Sequence, residues 1–305
     1  MTAEKPALDS LDTLLPKLSE QSRGLLRRLT TAPGYSGQIA GTDVASLVRN
    51  EGATVEKLML DLLPLAQSYS RAPISNFHVG VVVRGASGSL YTGANIEIPG
   101  QCLGFAVHAE QSALSNAYMH EERAVTALAV GGAPCGHCRQ FINEMSPAGE
   151  ILILTPNNPP RKLTEILPEA FGPAALGMKD GALPVRESEL KLDQPSSDAS
   201  ILAALDAARK SYAPYSKSQS GVAIRSNSGR IYLGSYIENV AFNPSLSPLQ
   251  TALAAMIAGG EPYAAISSVS LVELQAANIS QRPVTETVLG AIAPKAKLEV
   301  VRAQL

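Results

Sequence analysis

The chain is organised around two short stretches, VHAEQSA at residues 107–113 and PCGHCRQF at residues 134–141. They hold one imidazole, that of His108, and two thiols, those of Cys135 and Cys138, at a spacing typical of metal ligands. Three protein ligands of this kind leave the fourth position of a tetrahedral Zn²⁺ open to water, whereas a structural zinc site normally closes it with a further Cys or His. The two stretches therefore predict a catalytic zinc site.

Glu110 stands two residues after the first predicted ligand. A carboxylate in the first turn of a helix is common because the helix dipole favours it, but beside a metal it can also act as a general acid and base without binding the ion. The second role is our prediction. His137 lies between the two cysteines, and its ring would have to point with theirs from one short turn, so we predict that it is not a ligand.

Around the two stretches, the hydrophobic pattern predicts alternating helices and strands. Thr54 is expected to cap the first helix. The predicted order is helix, hairpin, helix, strand, helix, strand, over about 58–65, 79–91, 108–118, 124–130, 135–145 and 151–154. This order favours an α/β fold with a mixed sheet and helices on its faces.

The second half of the chain repeats the first. A shift of 141 positions, which becomes 139 after a two-residue deletion, pairs matching residues of the two copies: Pro73/Pro214, Gly80/Gly221, Tyr91/Tyr232, Glu97/Glu238 and Gln111/Gln250. In that register Ser247 stands in place of His108. Leu249 stands in place of Glu110, and no cysteine follows Cys138. The second copy therefore cannot build the same metal site, and we predict one Zn²⁺ per chain and a degenerate, noncatalytic second copy.

The patterns divide the chain into four segments: an N-terminal helical extension at 1–50, a catalytic zinc domain at 51–160, a linker at 161–196 and the degenerate copy at 197–305. The extension carries a leucine stripe of helical spacing, formed by Leu11, Leu14, Leu15 and Leu18. We expect this face to pack on the body of the protein or on a partner subunit. The linker is rich in Pro, Gly and polar residues, with a short helical piece near 163–167.

The composition limits the classes of function that the chain can serve. Its 305 residues, 45% of them hydrophobic and 17% charged, support two domains with sizeable cores. The net charge of −2 and the pI near 6.1 lack the basic excess of nucleic-acid binders. Three cysteines form no disulfide framework, and no basic leader or apolar run of about 18 residues is present. We therefore predict a cytoplasmic protein that binds neither nucleic acid nor membrane.

With their flanks, the two opening stretches resemble the cytidine deaminase family, and the H-x-E and P-C-x-x-C spacing is the signature of zinc-dependent deaminases. The duplication resembles that of the long, two-domain bacterial form. The resemblance implies a duplicated three-layer α/β/α fold, a homodimer, and zinc-dependent hydrolytic deamination of cytidine and 2′-deoxycytidine in pyrimidine salvage. In that reaction Glu110 would pass a proton from water to N3 of cytosine and then one to the departing ammonia.

The resemblance also assigns residues that would hold the nucleoside. Asn95 and Glu97 lie on one side of a predicted strand, and the family uses such a pair on the ribose. A carboxylate there would repel a 5′-phosphate, which favours a nucleoside over a nucleotide. Phe77 matches the aromatic residue that packs against the base, the alternative being an ordinary core position. The backbone N–H of Ala109 would donate to the pyrimidine carbonyl.

Phe171 and Phe242 lie in two further segments that resemble the long bacterial form, PEAFGP at 168–173 and ENVAFNP at 238–244. In that form the active site is completed across the homodimer interface. The resemblance therefore implies that these two rings close the pocket, either within the chain or from the neighbouring subunit.

Three other functions stay open from the residues alone. A deoxycytidylate deaminase would need a phosphate-binding cluster, and a deaminase of RNA or DNA bases would need a basic groove; the sequence shows neither. From a different class, the chain could be a noncatalytic assembly protein that zinc stabilises. Glu110 favours an enzyme over this last alternative, because a purely structural zinc site has no use for it.

Overall fold

The computed structural model describes residues 10–145 and 150–305; residues 1–9 of the predicted extension lie outside the described residues. Its helices are α1 Ser10–Leu14, α2 Glu20–Thr31, α3 Gly41–Glu51, α4 Val55–Asp61, α5 Leu63–Gln67, α6 Ala109–Met119, α7 Gly136–Glu144, α8 Leu163–Ile166, α9 Ala199–Arg209, α10 Pro248–Ala258 and α11 Arg282–Ile292. Its strands are β1 Gln38–Ile39, β2 Gly80–Gly85, β3 Leu90–Ala94, β4 Val125–Val130, β5 Leu152–Leu154, β6 Arg161–Lys162, β7 Lys191–Leu192, β8 Ser220–Ser226, β9 Ile231–Ser235, β10 Ile266–Leu274 and β11 Lys297–Gln304. None of the helices in the described part of the chain has both the length and the apolar character needed to cross a bilayer.

The strands form two sheets, of six and five strands, that share a four-stranded core in which β3, β2, β4 and β5 correspond to β9, β8, β10 and β11. Their orders are β1-β3-β2-β4-β5-β6 and β7-β11-β10-β8-β9. In each sheet the hairpin strands pair antiparallel, whereas β4 pairs parallel with β5 and β10 parallel with β11. The register repeats as well, since Val81 pairs with Val130 and Val222 pairs with Leu271. The mixed sheets and the duplication confirm the predicted fold class.

Glycines in each hairpin explain how helices approach both faces of a sheet. A Cβ atom on Gly80 would lie 2.3 Å from the backbone of α5, and one on Gly93 would lie 2.1 Å from the backbone of α6. Gly93 pairs with Val81, the neighbour of Gly80, so the two glycines face opposite sides of the sheet. Gly221 and Gly234 meet α9 and α10 in the same way. The three-layer arrangement therefore depends on the absence of a side chain at these positions.

Two features of the first copy differ from the sequence prediction. The single helix expected over 58–65 is divided into α4 and α5, because Pro64 has no N–H to donate and its ring clashes with the preceding turn. Thr54 caps α4 as predicted and accepts a hydrogen bond from the N–H of Lys57. The N-terminal extension at 1–50, which is expected to be helical, also contains β1, which pairs with β3 and extends the first sheet.

The two copies pack against each other through α6 and α10. Gln111 of α6 donates from Nε2 to the carbonyl of Pro244 at 2.9 Å. Gln250 of α10 donates from Nε2 to the carbonyl of Phe105 at 3.0 Å. These four residues exchange places under the 139-residue shift, so the contact is close to two-fold symmetric. One cluster of buried apolar side chains runs through both copies, which therefore share a core.

Candidate active site

The structure brings the three predicted zinc ligands together at the starts of two helices. His108 immediately precedes α6, Cys135 immediately precedes α7, and Cys138 lies in the first turn of α7. His108 Nδ1 is 3.2 Å from Cys138 Sγ and 3.6 Å from Cys135 Sγ, and the two sulfur atoms are 3.5 Å apart. Ligands about 2.0–2.3 Å from a tetrahedral zinc are about 3.5–3.8 Å from one another. The three atoms therefore fit a zinc ion.

The charges around Cys138 favour a bound cation. Its side chain is fully buried, and burial together with the negative charge of Glu110 raises the pKa of the thiol. A thiolate at this position needs a positive charge to offset its burial, and a zinc ion deprotonates the thiols that bind it. Two thiolates and one imidazole are a donor set that suits zinc.

Hydrogen bonds fix the two loops that carry the ligands. Arg139 donates from Nε to the carbonyl of Pro134 at 2.8 Å and from Nη1 to the carbonyl of Ile166, at the end of α8, at 2.6 Å. On the other loop, the backbone N–H of His108 donates to Oε1 of Gln111 at 3.1 Å. Both helix starts are therefore held in place independently of the metal.

A cleft of about 610 Å³ opens beside these ligands. Residues near the ends of α5, β2, β3 and β4 and the start of α6 form its walls. Seven of the predicted site residues line it, namely Phe77, Asn95, Glu97, His108, Ala109, Glu110 and Cys135. Cys138 is not among the described residues that line the cleft, and its sulfur lies behind His108 and Cys135.

Glu110 lies where the metal ligands meet the cleft. Its side chain is 5% exposed, it lines the cleft, and its charge acts on the Cys138 thiol. A carboxylate in this place can exchange protons with a water molecule at the metal. His137 is outside the group of side chains placed to hold an ion. Its ring packs on that of His108 with 5.1 Å between centroids, and burial followed by the charge of His108 lowers its pKa.

Asn95 ties together three parts of the cleft wall. Its Oδ1 accepts from the N–H of Val79 at 2.9 Å and from the hydroxyl of Ser70 at 2.6 Å. Its Nδ2 donates to the carbonyl of Phe77 at 2.8 Å. The ring of Phe77 is 70% exposed at the cleft, so this residue is not part of the hydrophobic core. Asn95 thus holds the backbone that presents the aromatic ring.

Glu97 holds the turn that precedes Phe77. Its Oε2 accepts from the N–H groups of Ile74 at 2.7 Å and Ser75 at 3.1 Å, and its Oε1 accepts from the hydroxyl of Ser75. Burial alone would raise the pKa of Glu97, but these hydrogen bonds outweigh burial and hold the pKa below its ordinary value. The carboxylate is therefore charged at neutral pH.

Ser75 is a residue of the cleft that the sequence prediction missed. Its hydroxyl donates to Glu97 and accepts from the N–H of Phe77 at 3.0 Å, so one side chain aligns both. A signal was present, since Ser216 occupies the matching position of the second copy. The loop at 131–133 also lines the cleft, and its Gly-Gly-Ala sequence carries no pattern that would mark it.

Phe171 and Phe242 lie away from the cleft of their own chain. Among the described residues that line the cleft neither is found, and their side chains are 50% and 69% exposed. Gln140 of α7 donates to the carbonyl of Phe171 at 2.8 Å and shares two hydrogen bonds with Asn239, close to Phe242. This placement does not fit closure from within the chain, whereas closure from the neighbouring subunit stays a prediction.

Comparisons with known proteins point to one family. Models described as the cytidine and deoxycytidylate deaminase zinc-binding region match residues 53–155 and 163–286. The chain is 42% identical over 269 residues to a cytidine deaminase of Vibrio vulnificus, with 88% of this chain and 90% of that protein covered. It is 43% identical over 270 residues to a cytidine deaminase of Vibrio cholerae, with the same coverage. Among solved structures, cytidine deaminase from Mycobacterium tuberculosis is similar at 30% identity, over 38% of this chain and 96% of that chain, with a TM-score of 0.36.

Proposed function

The chain belongs to the cytidine deaminase family, and we propose that its first copy alone carries the active site. Its reaction is the zinc-dependent hydrolytic deamination of cytidine and 2′-deoxycytidine to uridine and 2′-deoxyuridine, with release of ammonia. His108, Cys135 and Cys138 are the proposed zinc ligands. The observation that carries this proposal is their spacing of 3.2–3.6 Å beside the buried carboxylate of Glu110, in a cleft of a size typical of small-ligand sites.

Glu110 moves the protons of the reaction. Zinc held by the three ligands supplies a Lewis acid that lowers the pKa of a water molecule toward neutrality. A carboxylate oxygen of Glu110 takes a proton from the attacking water and donates it to N3 of the cytosine ring. The oxygen of that water bonds to C4 of the ring. The same carboxylate then moves the second proton of this oxygen to the amino group, so that the C4–N bond breaks, ammonia leaves and C4 keeps a carbonyl oxygen. The backbone N–H of Ala109, which lines the cleft, donates to the carbonyl oxygen of the base.

Asn95 and Glu97 hold the sugar, and Phe77 packs against the base. A carboxylate has about four acceptor positions, and three donors from Ile74 and Ser75 occupy most of them on Glu97. One position stays for a ribose hydroxyl. The amide nitrogen of Asn95 likewise has a second N–H besides the one given to Phe77. The charge of Glu97 disfavours a nearby 5′-phosphate, which supports a nucleoside substrate.

A homodimer completes the site in this proposal. Phe171 and Phe242 are large apolar side chains at least half exposed, and exposed apolar surface of this kind is typical of interaction sites. The backbone around both rings is tied to α7, so they are held ready to cover the cleft of a second subunit. The chain has three cysteines and none of them is paired in a disulfide, which supports a reducing compartment, and we place the reaction in pyrimidine salvage in the cytoplasm.

Replacement of the proton-transfer group tests the chemistry. Glu110→Ala should keep one zinc per chain by elemental analysis, because this residue is not a ligand. Ammonia release from cytidine should fall by at least about 100-fold, the lower end of what a general acid and base contributes. Substantial activity in this variant would contradict the role of Glu110. For the unmodified protein, turnover confined to cytidine monophosphate or to a single-stranded oligonucleotide would contradict a nucleoside substrate.

Subunit mixing tests the closure. Phe242→Ala should raise KM for cytidine without changing zinc content. In a mixed dimer of Phe242→Ala and Glu110→Ala subunits, the one competent site faces a partner with an intact Phe242, so the low KM should return. A KM that stays high in the mixed dimer would show that the ring does not act across the interface.

A further inference from the structure

The end of α7 opposite the cysteines carries a buried acid that the reaction does not use. Glu144 is the last residue of this helix and is 0% exposed. Eight helical steps separate it from the first residue of α7, a distance of about 12 Å along the axis. Burying a carboxylate costs free energy unless hydrogen-bond donors surround it. The donors around Glu144 therefore indicate its role.

All three donors to this carboxylate come from the degenerate copy. Tyr212 and Tyr215 donate their hydroxyl groups at 2.8 Å and 2.5 Å, and the backbone N–H of Val240 donates at 2.9 Å. Burial raises the pKa of Glu144 in spite of these bonds. The chain therefore keeps an acid in an unfavourable environment at a point where α7 meets the second copy.

The donors of Glu144 lie beside the loop at 240–245, which presents Phe242 and is called the Phe242 loop below. Val240 belongs to this loop, and the ring of Tyr215 lies 6.5 Å from that of Phe242. Just before the loop, Asn239 donates from Nδ2 to the carbonyl of Gln140 at 3.0 Å. The loop is thus attached to α7 at two points, one turn of helix apart.

The backbone of Phe242 shows why such an anchor is needed. Its φ is +63°, in the left-handed region, which a bulky residue adopts only when neighbouring contacts hold it there. The loop closes on itself through the N–H of Phe242, which donates to the carbonyl of Asn239 at 2.9 Å, and the N–H of Ser245, which donates to the carbonyl of Phe242 at 2.8 Å. The ring itself is 69% exposed. An unfavourable backbone conformation therefore supports a side chain that packs little within its own chain.

We propose that Glu144 is a positioning residue that holds the Phe242 loop of the degenerate copy on α7 and thereby sets the affinity for nucleoside. The inference rests on the proposed closure of the cleft by Phe242. It gives the degenerate copy a part in substrate binding: its tyrosines and its loop are arranged by an acid on the same helix that carries the zinc ligands.

A double-mutant cycle tests this role. Glu144→Gln replaces one acceptor oxygen with an amide N–H₂, which cannot accept a hydrogen bond from these donors. The loop should therefore lose this attachment to α7. Glu144→Gln and Phe242→Ala should each raise KM about three- to tenfold, the value of one aromatic contact. The double variant should have the KM of Phe242→Ala alone, because Glu144 acts only through that ring. Zinc content should stay at one per chain and kcat within about twofold.

Two further variants separate positioning from general stability. Glu122→Gln alters another buried acid, which accepts from the hydroxyls of Tyr91 and Ser87, two residues of the first copy. It should lower the melting temperature without changing KM. If Glu144→Gln does not fold, Tyr215→Phe removes one donor and should give a smaller rise in KM that disappears in the Phe242→Ala background.

The outcomes distinguish the two proposals. An unchanged KM in Phe242→Ala would overturn the closure by that ring, and with it the basis of this inference. A raised KM in Phe242→Ala beside a normal KM in Glu144→Gln would overturn the role of Glu144 alone. Multiplicative rises in the double variant would do the same, since they are expected when Glu144 affects KM independently of Phe242.

Discussion

The two copies share one fold and differ in what occupies the space of the cleft. At the position of Asn95 the second copy has Tyr236, whose side chain is 6% exposed. At the position of Phe77 it has Ser218, which accepts two backbone hydrogen bonds from the loop at 275–281. In the second copy, the ring of Tyr236 and the loop at 275–281 therefore fill the space that corresponds to the open cleft of the first copy.

The helix starts show the same contrast. Ser247 accepts from the N–H of Gln250 at 3.3 Å, and the side chain of Gln250 accepts from the N–H of Ser247 at 3.0 Å, which is a capping box. His108 stands at the matching position, and its Nδ1 is directed at the two cysteine sulfurs. A serine cap stabilises a helix by about 1 kcal/mol. The first copy keeps the glutamine half of this box, since the N–H of His108 donates to Gln111, so the two helix starts differ in the capping side chain, a serine in one copy and a predicted metal ligand in the other.

Removal of one candidate zinc-binding thiol should have the largest effect, because it should leave the first copy as inactive as the second. Cys138→Ala takes away the buried ligand and leaves two, so zinc content should fall far below one per chain and ammonia release from cytidine should be lost. Elemental analysis and an ammonia assay measure both. Cys102→Ala is the matched control, because Cys102 is an exposed cysteine apart from the ligand group, and it should keep zinc and activity. Full zinc occupancy in Cys138→Ala would mean that the ligand set is wrong.

Replacing the aromatic side chain that fills the space in the second copy should affect stability and leave activity unchanged. Tyr236→Asn puts the residue of the first copy into the second and leaves a cavity, which should lower the free energy of unfolding by about 2–4 kcal/mol. Zinc content and turnover per folded chain should stay normal. Denaturant unfolding and the ammonia assay measure the two quantities.

The reverse exchange is the control for the filled pocket. Asn95→Tyr should block the cleft and abolish turnover while zinc remains bound. A Tyr236→Asn variant as stable as the parent protein would show that the ring does not fill the degenerate pocket.

Local spacing made the grouping of the candidate zinc ligands and the repeat predictable. Cys135 and Cys138 are one helical turn apart, so the sequence alone sets their geometry once a helix starts there. The 141-residue shift likewise predicted the second sheet, because matching glycines keep the same helix contacts. The break at Pro64 follows from its missing N–H, although the spacing of the leucines on either side predicts one continuous helix.

Other features depend on contacts between distant residues. Strands β1, β6 and β7 are two residues long, too short for any periodicity, and exist because a longer strand offers them an edge. Glu144 ends a helix and reads as an ordinary surface acid, yet its donors lie 68 to 96 positions away in the other copy. Only the packing of the two copies creates that site, so no local pattern marks it.

The smallest expected effect concerns a feature that both copies keep. Glu238 accepts from the N–H groups of Tyr215 at 2.7 Å and Ser216 at 3.2 Å, as Glu97 does from Ile74 and Ser75. The carboxylate therefore holds the same turn where no nucleoside cleft remains. Glu97→Gln and Glu238→Gln should each lower the free energy of unfolding by about 1–2 kcal/mol at pH 7, the value of hydrogen bonds to a charged group.

Acid should reveal the contribution of Glu97. Because its pKa is lower in the folded than in the unfolded chain, the stability that it provides is complete above the unfolded value of about 4.5 and is lost as the pH falls through the folded value. Urea unfolding between pH 7 and pH 3 should show a constant difference between the parent protein and Glu97→Gln down to about pH 4.5 and convergence in stability below it. A difference that stays constant below pH 4.5 as well would mean that the charge of Glu97 does not hold the turn, and that its retention in both copies has another cause.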